Sequence, residues 1–331
     1  MNRWCIRLFL IAFYLMALPY RSPAPLIYTP GAGWTYEPVG GEGSWIRTRA
    51  KDQLIIAQDA FDKKDYSLAL KAARRVVKVW PLSDYAPQAQ YLVGRSYEAR
   101  GMDEAAFKQY QIALEKYPKG PNYDDILRRQ YDIASRFLAG EFFRLWNYIP
   151  LYRSMDKTAG LFSQVVTNGP FSDLAPLAQL NIGLARVKES NFPEAVKAYE
   201  LAADRYNDRP VIAADALYKA GLAYNQQAQT GEYDQGTAAQ AIDTFTQFMT
   251  LYPGNARVPD AQKRIAALRT EQARGSYQIA QFYEKNKKWQ GAKIYYNDVV
   301  NLLLNEPNAP LAASAKERID LINKRVQTAS N

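Results

Sequence analysis

A small residue followed twelve positions later by alanine recurs four times, and this spacing constrains the fold more than any other feature. The pairs are Ala57/Ala69, Gly94/Ala106, Gly183/Ala195 and Ala280/Ala292. Two antiparallel helices pack closely only where each presents a small side chain at the crossing, so a constant offset indicates one hairpin built repeatedly. The sequence therefore predicts an all-α chain of stacked helical hairpins.

Aromatic residues and prolines recur at matched places around these pairs. A tyrosine follows the alanine by four positions, and a proline follows an aromatic residue at the end of the second helix, as in Tyr110, Tyr199, Tyr296, Pro81, Pro118 and Pro253. Proline lacks the N–H that a further turn needs and moves the preceding residue out of the α region, so each unit should end there. These are landmarks of the tetratricopeptide repeat (TPR).

Six repeats and a C-terminal capping helix can be placed. The small residues of the first helices are Ala57, Gly94, Ala134, Gly183, Gly221 and Ala280. The six repeats span about residues 50–86, 87–126, 127–175, 176–213, 214–256 and 257–308. The capping helix spans 309–327. Repeat five, with Ala241 in its second helix, is predicted to have a loop from Gln229 to Ala238, because that stretch is rich in turn residues. In repeat three, the segment from Gly140 to Met155 is too aromatic for a simple spacer.

The residue types exclude several classes of chemistry. The 331-residue chain has no histidine, and its one cysteine is Cys5. Zinc sites, Ser-His-Asp and Cys-His nucleophile systems and histidine switches therefore lack their residues. Glycine motifs that bind nucleotide phosphates are missing as well. The sequence predicts no enzyme, no cofactor and no metal site.

The charged residues do not indicate nucleic acid or acid–base catalysis. The formal net charge is +9, but Lys and Arg are interspersed with Asp and Glu instead of forming a stripe. The acidic clusters are explained by helix capping and solvation. They comprise Asp124-Asp125 at a helix start, Asp103-Glu104 in the turn between the helices of repeat two, and Asp59/Asp62 on an exposed face.

The first 48 residues are predicted to precede the repeats. Arg3 and Arg7 come before an apolar run from Leu8 to Leu18; eleven helical residues span about 17 Å, short of the ~30 Å bilayer core. Residues 1–24 are therefore predicted to be a signal peptide or a short N-terminal anchor. Residues 25–48 are a Gly- and Pro-rich linker or a packed strap, with four aromatic residues, Tyr28, Trp34, Tyr36 and Trp45.

A tyrosine at the fifth position of the repeat is the candidate ligand-binding residue. It occurs as Tyr91, Tyr131, Tyr218 and Tyr277, and leucine replaces it at Leu54 and Leu180. First helices line the concave surface of such repeats, where a tyrosine offers apolar area and a hydroxyl to an extended peptide. Three basic residues nearby can receive a chain-terminal carboxylate, namely Arg95, Arg128 and Arg274. The alternative is that these tyrosines pack neighbouring helices together.

The end of the chain carries the most specific pattern. Residues 278–285 read QIAQFYEK and residues 288–296 read KWQGAKIYY, while repeat one has a related stretch from Ala57 to Ala69. Together with a long helix from about Arg257 to Lys285, these segments resemble the BamD/YfiO family of TPR lipoproteins in the outer-membrane β-barrel assembly machinery. The resemblance covers about residues 49–325.

This resemblance implies a non-catalytic periplasmic scaffold at the outer membrane, exported by an N-terminal signal and held through a partner or an anchor. The C-terminal repeats would dock onto the barrel-forming subunit, with Trp289, Lys293 and Tyr295 at the contact. The N-terminal repeats would receive C-terminal segments of unfolded outer-membrane proteins. Three features depart from the family: Cys5 precedes the apolar run, so lipid attachment is not predicted; Tyr295 stands where arginine is common; and six repeats replace five. The competing prediction is a generic envelope interaction protein of the cell-wall or division machinery.

Overall fold

The computed structural model describes residues 26–29, 33–36, 45–145, 149–229, 234–304 and 309–330. Helices dominate these residues, and the prediction of an all-α helical-hairpin repeat fold is confirmed. The chain divides into an N-terminal body, residues 1–123, and a C-terminal body, residues 124–331. The predicted signal or anchor at 1–24 lies outside the described residues. Of the predicted strap, the structure describes a short antiparallel pair, β1 (Leu26–Thr29) with β2 (Gly33–Tyr36), and the residues from Trp45 onward.

The N-terminal body contains repeats one and two. Its helices are α1 (Ala50–Asp62), α2 (Tyr66–Val79), α3 (Ala86–Ala99) and α4 (Asp103–Lys116), and each packs against the next. Trp45 packs against the core of the first three helices. The buried Gln53 holds this entry segment, because its side chain donates to the Trp45 carbonyl at 3.1 Å and accepts from the Arg47 N–H at 2.8 Å.

The C-terminal body contains the remaining repeats and the cap. Its elements are α5 (Tyr123–Ala139), β3 (Phe143–Leu145), β4 (Ile149–Tyr152), α6 (Met155–Asn168), α7 (Leu174–Lys188), α8 (Phe192–Arg205), α9 (Pro210–Ala228), α10 (Gln235–Leu251), α11 (Val258–Lys285), α12 (Trp289–Leu302) and α13 (Pro310–Ser330). From α6 onward each helix packs against its successor, and the core forms two clusters that each include residues of α11. Among the described helices, none is both long and apolar enough to cross a bilayer.

The predicted small residues lie buried where the two helices of a hairpin cross. Glycine is required in three hairpins because an aromatic ring of the second helix lies directly on it. An added Cβ would lie 2.4–2.7 Å from a ring carbon in the pairs Gly94 and Tyr110, Gly183 and Tyr199, and Gly221 and Phe245. In repeats two and six, the ring hydroxyl also donates to a glutamate one turn after the small residue. These bonds are 2.7 Å long, from Tyr110 to Glu98 and from Tyr296 to Glu284.

The turn between the two helices has the same backbone geometry in four hairpins. The residue seven positions after the small residue adopts a left-handed conformation, with φ of 63°, 67°, 62° and 58° at Lys64, Gly101, Ser190 and Lys287. An L-residue in this region strains the backbone by about 1–2 kcal/mol. The hairpin geometry therefore overrides local preference at the three positions that are not glycine.

Two local predictions need correction, and the aromatic segment of repeat three gains a defined structure. The predicted loop from Gln229 to Ala238 is shorter, since α10 begins at Gln235 and the Asp234 side chain caps it by accepting from two backbone N–H groups. The aromatic segment of repeat three forms the β3–β4 hairpin. Asp103 is the first residue of α4 and is buried, so solvation does not explain it.

Candidate functional site

In the N-terminal body, the structure brings Tyr91 and Arg95 together on α3. Arg95 Nη1 donates to the Tyr91 hydroxyl at 3.0 Å. Its guanidinium lies 5.0 Å from the centre of the Phe61 ring and 5.7 Å from that of Tyr91. These three side chains are half-buried and form an aromatic–cation cluster, which we call the Arg95 cluster. Cation–π contact holds the guanidinium in place, and a guanidinium has five N–H donors, of which the bond to Tyr91 uses one.

In the C-terminal body, Tyr131 and Arg128 lie one turn apart on α5. The Tyr131 hydroxyl accepts from Asn181 Nδ2 of α7 at 3.1 Å, and its ring meets Phe162 of α6 edge-on at 5.7 Å. Tyr131 therefore connects the first helix of repeat three with that of repeat four. It remains half-buried, and Arg128 is exposed beside it.

Tyr218 of α9 is only 9% exposed and belongs to an ion-pair network with α11. Its hydroxyl donates to the Asp260 carboxylate, which also accepts from Arg264 Nε at 2.6 Å. The Arg257 guanidinium lies 4.6 Å from the Tyr218 ring centre. Burial raises the pKa of the Tyr218 phenol, and the bonds from Tyr218 and Arg264 lower the pKa of Asp260. At this position the tyrosine packs two repeats together and presents little surface to a ligand.

The predicted residues of repeat six are also engaged within the body. The Tyr277 ring meets Tyr296 edge-on at 5.3 Å. Arg274 is exposed, but its Nη1 donates to both carboxylate oxygens of Glu271, at 2.6 and 2.8 Å. This ion pair competes with any incoming carboxylate.

The three predicted docking residues lie in the first two turns of α12. Tyr295 stacks on Tyr283 of α11 with ring centres 5.5 Å apart, and the Arg325 guanidinium of α13 lies 5.9 Å from the Trp289 ring. Trp289, Lys293 and Tyr295 are all half-buried. The most exposed apolar side chains of the same hairpin are two that the sequence did not single out, Phe282 at 63% and Ile294 at 61%.

Two polar cavities lie along α11. One of about 340 Å³ is lined by residues of α9 and α11, including Asn225, Lys263, Arg264 and Glu271. The other, of about 500 Å³, is lined by Arg269, Ser276 and Asp298 among others. Their linings mix both charges with amides, a chemistry that suits polar peptide groups. In the part of the chain that the structure describes, no group of three or more His, Cys, Asp or Glu side chains is placed to hold a metal ion.

Sequence reasoning missed the partners that complete these contacts. Three of the predicted residues each contact a residue of another repeat that was not predicted. Arg95 contacts Phe61, Tyr131 contacts Asn181, and Tyr218 contacts Asp260. The repeat period located the tyrosines, but their partners do not recur at a fixed repeat position. No periodic signal could have found them.

The helical hairpins and these surfaces define a TPR protein of the interaction-scaffold class. A tetratricopeptide-repeat model matches residues 56–121. The model of YfiO, an outer membrane lipoprotein, matches residues 153–319, just over half of the chain. The chain therefore belongs to the YfiO family. Neither model describes an enzyme family, and no curated protein is similar enough to count as a match.

Several solved structures are similar to this chain at low sequence identity. The C-terminal part of a TPR repeat-containing protein from Cytophaga hutchinsonii is 14% identical, with 82% of this chain and 90% of that chain covered and a TM-score of 0.36. MamA is 15% identical, with 63% and 94% covered and a TM-score of 0.34. YrrB, described as a TPR protein with an unusual peptide-binding site, is 14% identical, with 65% and 92% covered and a TM-score of 0.33.

Proposed function

We propose that this protein is a non-catalytic periplasmic scaffold that binds polypeptides during the assembly and insertion of outer-membrane β-barrel proteins. The observation that carries the proposal is membership of an outer membrane lipoprotein family, through a match that lies within the C-terminal body. The proposed partners are a subunit of the β-barrel assembly machinery and unfolded segments of its substrates. Membrane association would be peripheral, through the partner or an N-terminal anchor.

The Arg95 cluster is the proposed peptide site of the N-terminal body. An aromatic C-terminal residue has a ring and a carboxylate, and the cluster offers two rings and a guanidinium within one patch. A single aromatic contact contributes ~0.5–1.5 kcal/mol beyond area burial, while a micromolar complex needs about 8 kcal/mol. Several contacts must therefore act together. Tyr131 and Arg128 form a surface of the same chemistry in the C-terminal body, whereas Tyr218 and Tyr277 contribute chiefly to packing.

The proposed partner-docking surface lies on the α11–α12 hairpin. Trp289, Lys293 and Tyr295 supply its half-buried part, and Phe282 and Ile294 supply its exposed apolar part. These two exposed side chains would supply apolar area for a partner to cover.

Site-specific crosslinking in the cell envelope tests the docking surface. A photo-crosslinking residue at Ile294 should capture a β-barrel assembly subunit, because this side chain is exposed within the proposed contact. The matched control is Val211, another exposed aliphatic residue, at the start of α9. Capture of cell-wall or division proteins alone from position 294 would reject the assembly function and favour the competing one.

Peptide binding tests the Arg95 cluster. The double variant Tyr91→Ala/Tyr131→Ala should bind peptides with an aromatic C-terminal residue more weakly, with only a modest loss of thermal stability from the contacts of Tyr131 with Asn181 and Phe162. Arg95→Gln should reduce the preference for a free carboxylate over a C-terminal amide, because it removes the cation that would pair with the carboxylate. Tyr85→Ala, at an exposed tyrosine of the same body, is the control. If the double variant lost stability and binding to the same extent, the tyrosines would be packing residues.

A further inference from the structure

The β3–β4 hairpin is an insertion that the repeat does not require. In repeat three, the buried small residues of the two helices, Ala134 and Thr158, are twenty-four positions apart, twice the usual spacing. The twelve residues from Phe142 to Arg153 contain five aromatic and three aliphatic residues, two arginines and no acidic residue. We call this segment the aromatic hairpin.

The base of the aromatic hairpin is fixed to the helices of repeat three. Phe143 is buried and stacks on Phe137 of α5, with ring centres 4.1 Å apart and planes 9° from parallel. The Tyr152 ring also stacks with Phe143, with ring centres 6.0 Å apart. The Lys157 ammonium lies 4.8 Å from the Tyr152 ring and 5.2 Å from that of Phe143. The helices therefore hold the hairpin in one orientation.

The flanks of the aromatic hairpin leave aromatic rings and a cation on the surface. Phe142 is 42% exposed and Tyr152 is 38% exposed. The Arg153 guanidinium lies 4.6 Å from the Phe142 ring centre. The two acids nearest in sequence are each matched by an arginine, since Glu141 lies 3.9 Å from Arg136 and Asp156 lies 2.7 Å from Arg186.

We propose that the base of the aromatic hairpin, through Phe142, Tyr152 and Arg153, contacts the surface of an anionic phospholipid bilayer. Aromatic side chains concentrate at the membrane–water interface because their rings tolerate both apolar and polar surroundings. Basic side chains next to them are attracted to anionic headgroups. The exposed rings beside Arg153, in a segment without acids, match both requirements.

Strand addition by an extended peptide fits the aromatic hairpin less well. The hairpin has short strands of three and four residues, and β4 contains Pro150, which has no N–H for an added strand. The lipid contact is also independent of the proposed peptide-binding function, because it uses other residues and needs no protein partner.

A fluorescent label at the hairpin reports this contact directly. It separates the contact from any membrane binding by the predicted N-terminal anchor. In a Cys5→Ser background, full-length protein with Phe142→Cys is labelled with an environment-sensitive dye, and Phe171→Cys is the matched control, because Phe171 is 96% exposed elsewhere in the same body. On vesicles of phosphatidylcholine with phosphatidylglycerol, the label at 142 should shift to the blue and be quenched by lipids with quenchers in the acyl region. The label at 171 should not respond. An unresponsive label at 142, or equal responses at both positions, would overturn the proposal.

Vesicle flotation measures how much each side chain contributes to the affinity for the bilayer. Arg153→Gln should weaken binding to anionic vesicles about fivefold, the effect expected for one cation near such a surface, and Phe142→Ser should weaken it further. Phe171→Ser and Arg205→Gln, at exposed positions of the same body, should leave it unchanged. Circular dichroism confirms that each variant is folded. If the 142 label responded to an extended amphipathic peptide but not to vesicles, the hairpin would be a peptide surface and the lipid proposal would fail.

Discussion

Replacing Gly183 with alanine tests the packing rule that organises the fold. The new Cβ would lie 2.4 Å from Tyr199 Cε1 and 2.7 Å from two further ring carbons, about 1 Å inside ordinary contact. The Tyr199 ring is buried, so the helices must separate or the ring must leave its rotamer. Overpacking of this kind costs about 1–3 kcal/mol, and the better helix propensity of alanine returns up to ~1 kcal/mol. We expect a net loss of about 1–2 kcal/mol.

Gly160→Ala is the matched control for this prediction. Gly160 is exposed within α6, and an added Cβ would meet nothing within 4 Å, so only the propensity gain of about 1 kcal/mol applies. Urea denaturation followed by far-ultraviolet circular dichroism should therefore move the two midpoints in opposite directions. Adding Tyr199→Leu should reduce the cost of Gly183→Ala in a double-mutant cycle, because the ring is the obstacle. A Gly183→Ala protein as stable as the parent would refute the reasoning.

Three further outcomes can be measured by the same denaturation. Burial and the bond to Glu200 raise the pKa of Tyr224 from 10.0 to about 12. Because the folded state favours the neutral phenol, this stabilisation is complete below pH 10 and is lost as the pH rises from 10 to 12. The unfolding free energy of Tyr224→Phe should therefore fall less than that of the parent over this range. Lys287→Gly should raise the unfolding free energy by about 0.5–1 kcal/mol, since φ is 58° at this residue, and a loss would contradict the strain. Asp234→Ala should lower the unfolding free energy by about 1 kcal/mol at neutral pH, because it removes the helix cap. The bond from Thr237 lowers the pKa of Asp234 below 3.8. The stability difference between Asp234→Ala and the parent should therefore vanish as the pH falls through the pKa of Asp234 in the folded state.

The repeat architecture was predictable because it depends on a local rule that recurs. Two helices that cross closely need small residues at the crossing, and Gly94, Gly183 and Ala280 appear in the sequence at the required spacing. Proline after an aromatic residue marks the ends of second helices in the same way, as at Trp80 and Tyr117, which are helix C-caps in the structure. Each signal has a single physical cause and several occurrences.

The contacts of the candidate sites were not predictable because they depend on residues that occur once. The fifth-position tyrosines look equivalent in sequence, yet Tyr91 joins an arginine within its own helix, while Tyr218 is buried against Asp260 of a later helix. The start of α10 was placed too late because Asp234, a turn-forming residue by composition, acts as a helix cap. Such differences arise from tertiary partners, which a repeat period does not encode.

The requirements of the repeat also help to separate packing residues from functional ones. Tyr110, Tyr199 and Phe245 lie on glycines at the helix crossing, so the fold alone explains why aromatic residues recur at this position of the repeat. No such requirement explains why Phe142 and Phe282 stay exposed, since neither fills a crossing nor ends a helix. Exposed rings give up the free energy that burial would supply, so a scaffold retains them at no benefit to its own stability. Exposure alone does not mark a contact, since Phe171 is 96% exposed and serves as a control. Phe142 is assigned to the membrane contact because the Arg153 guanidinium lies beside it, and Phe282 is assigned to the partner contact because it lies on the same hairpin as the predicted docking residues. Tyr218 is assigned to packing because it is buried.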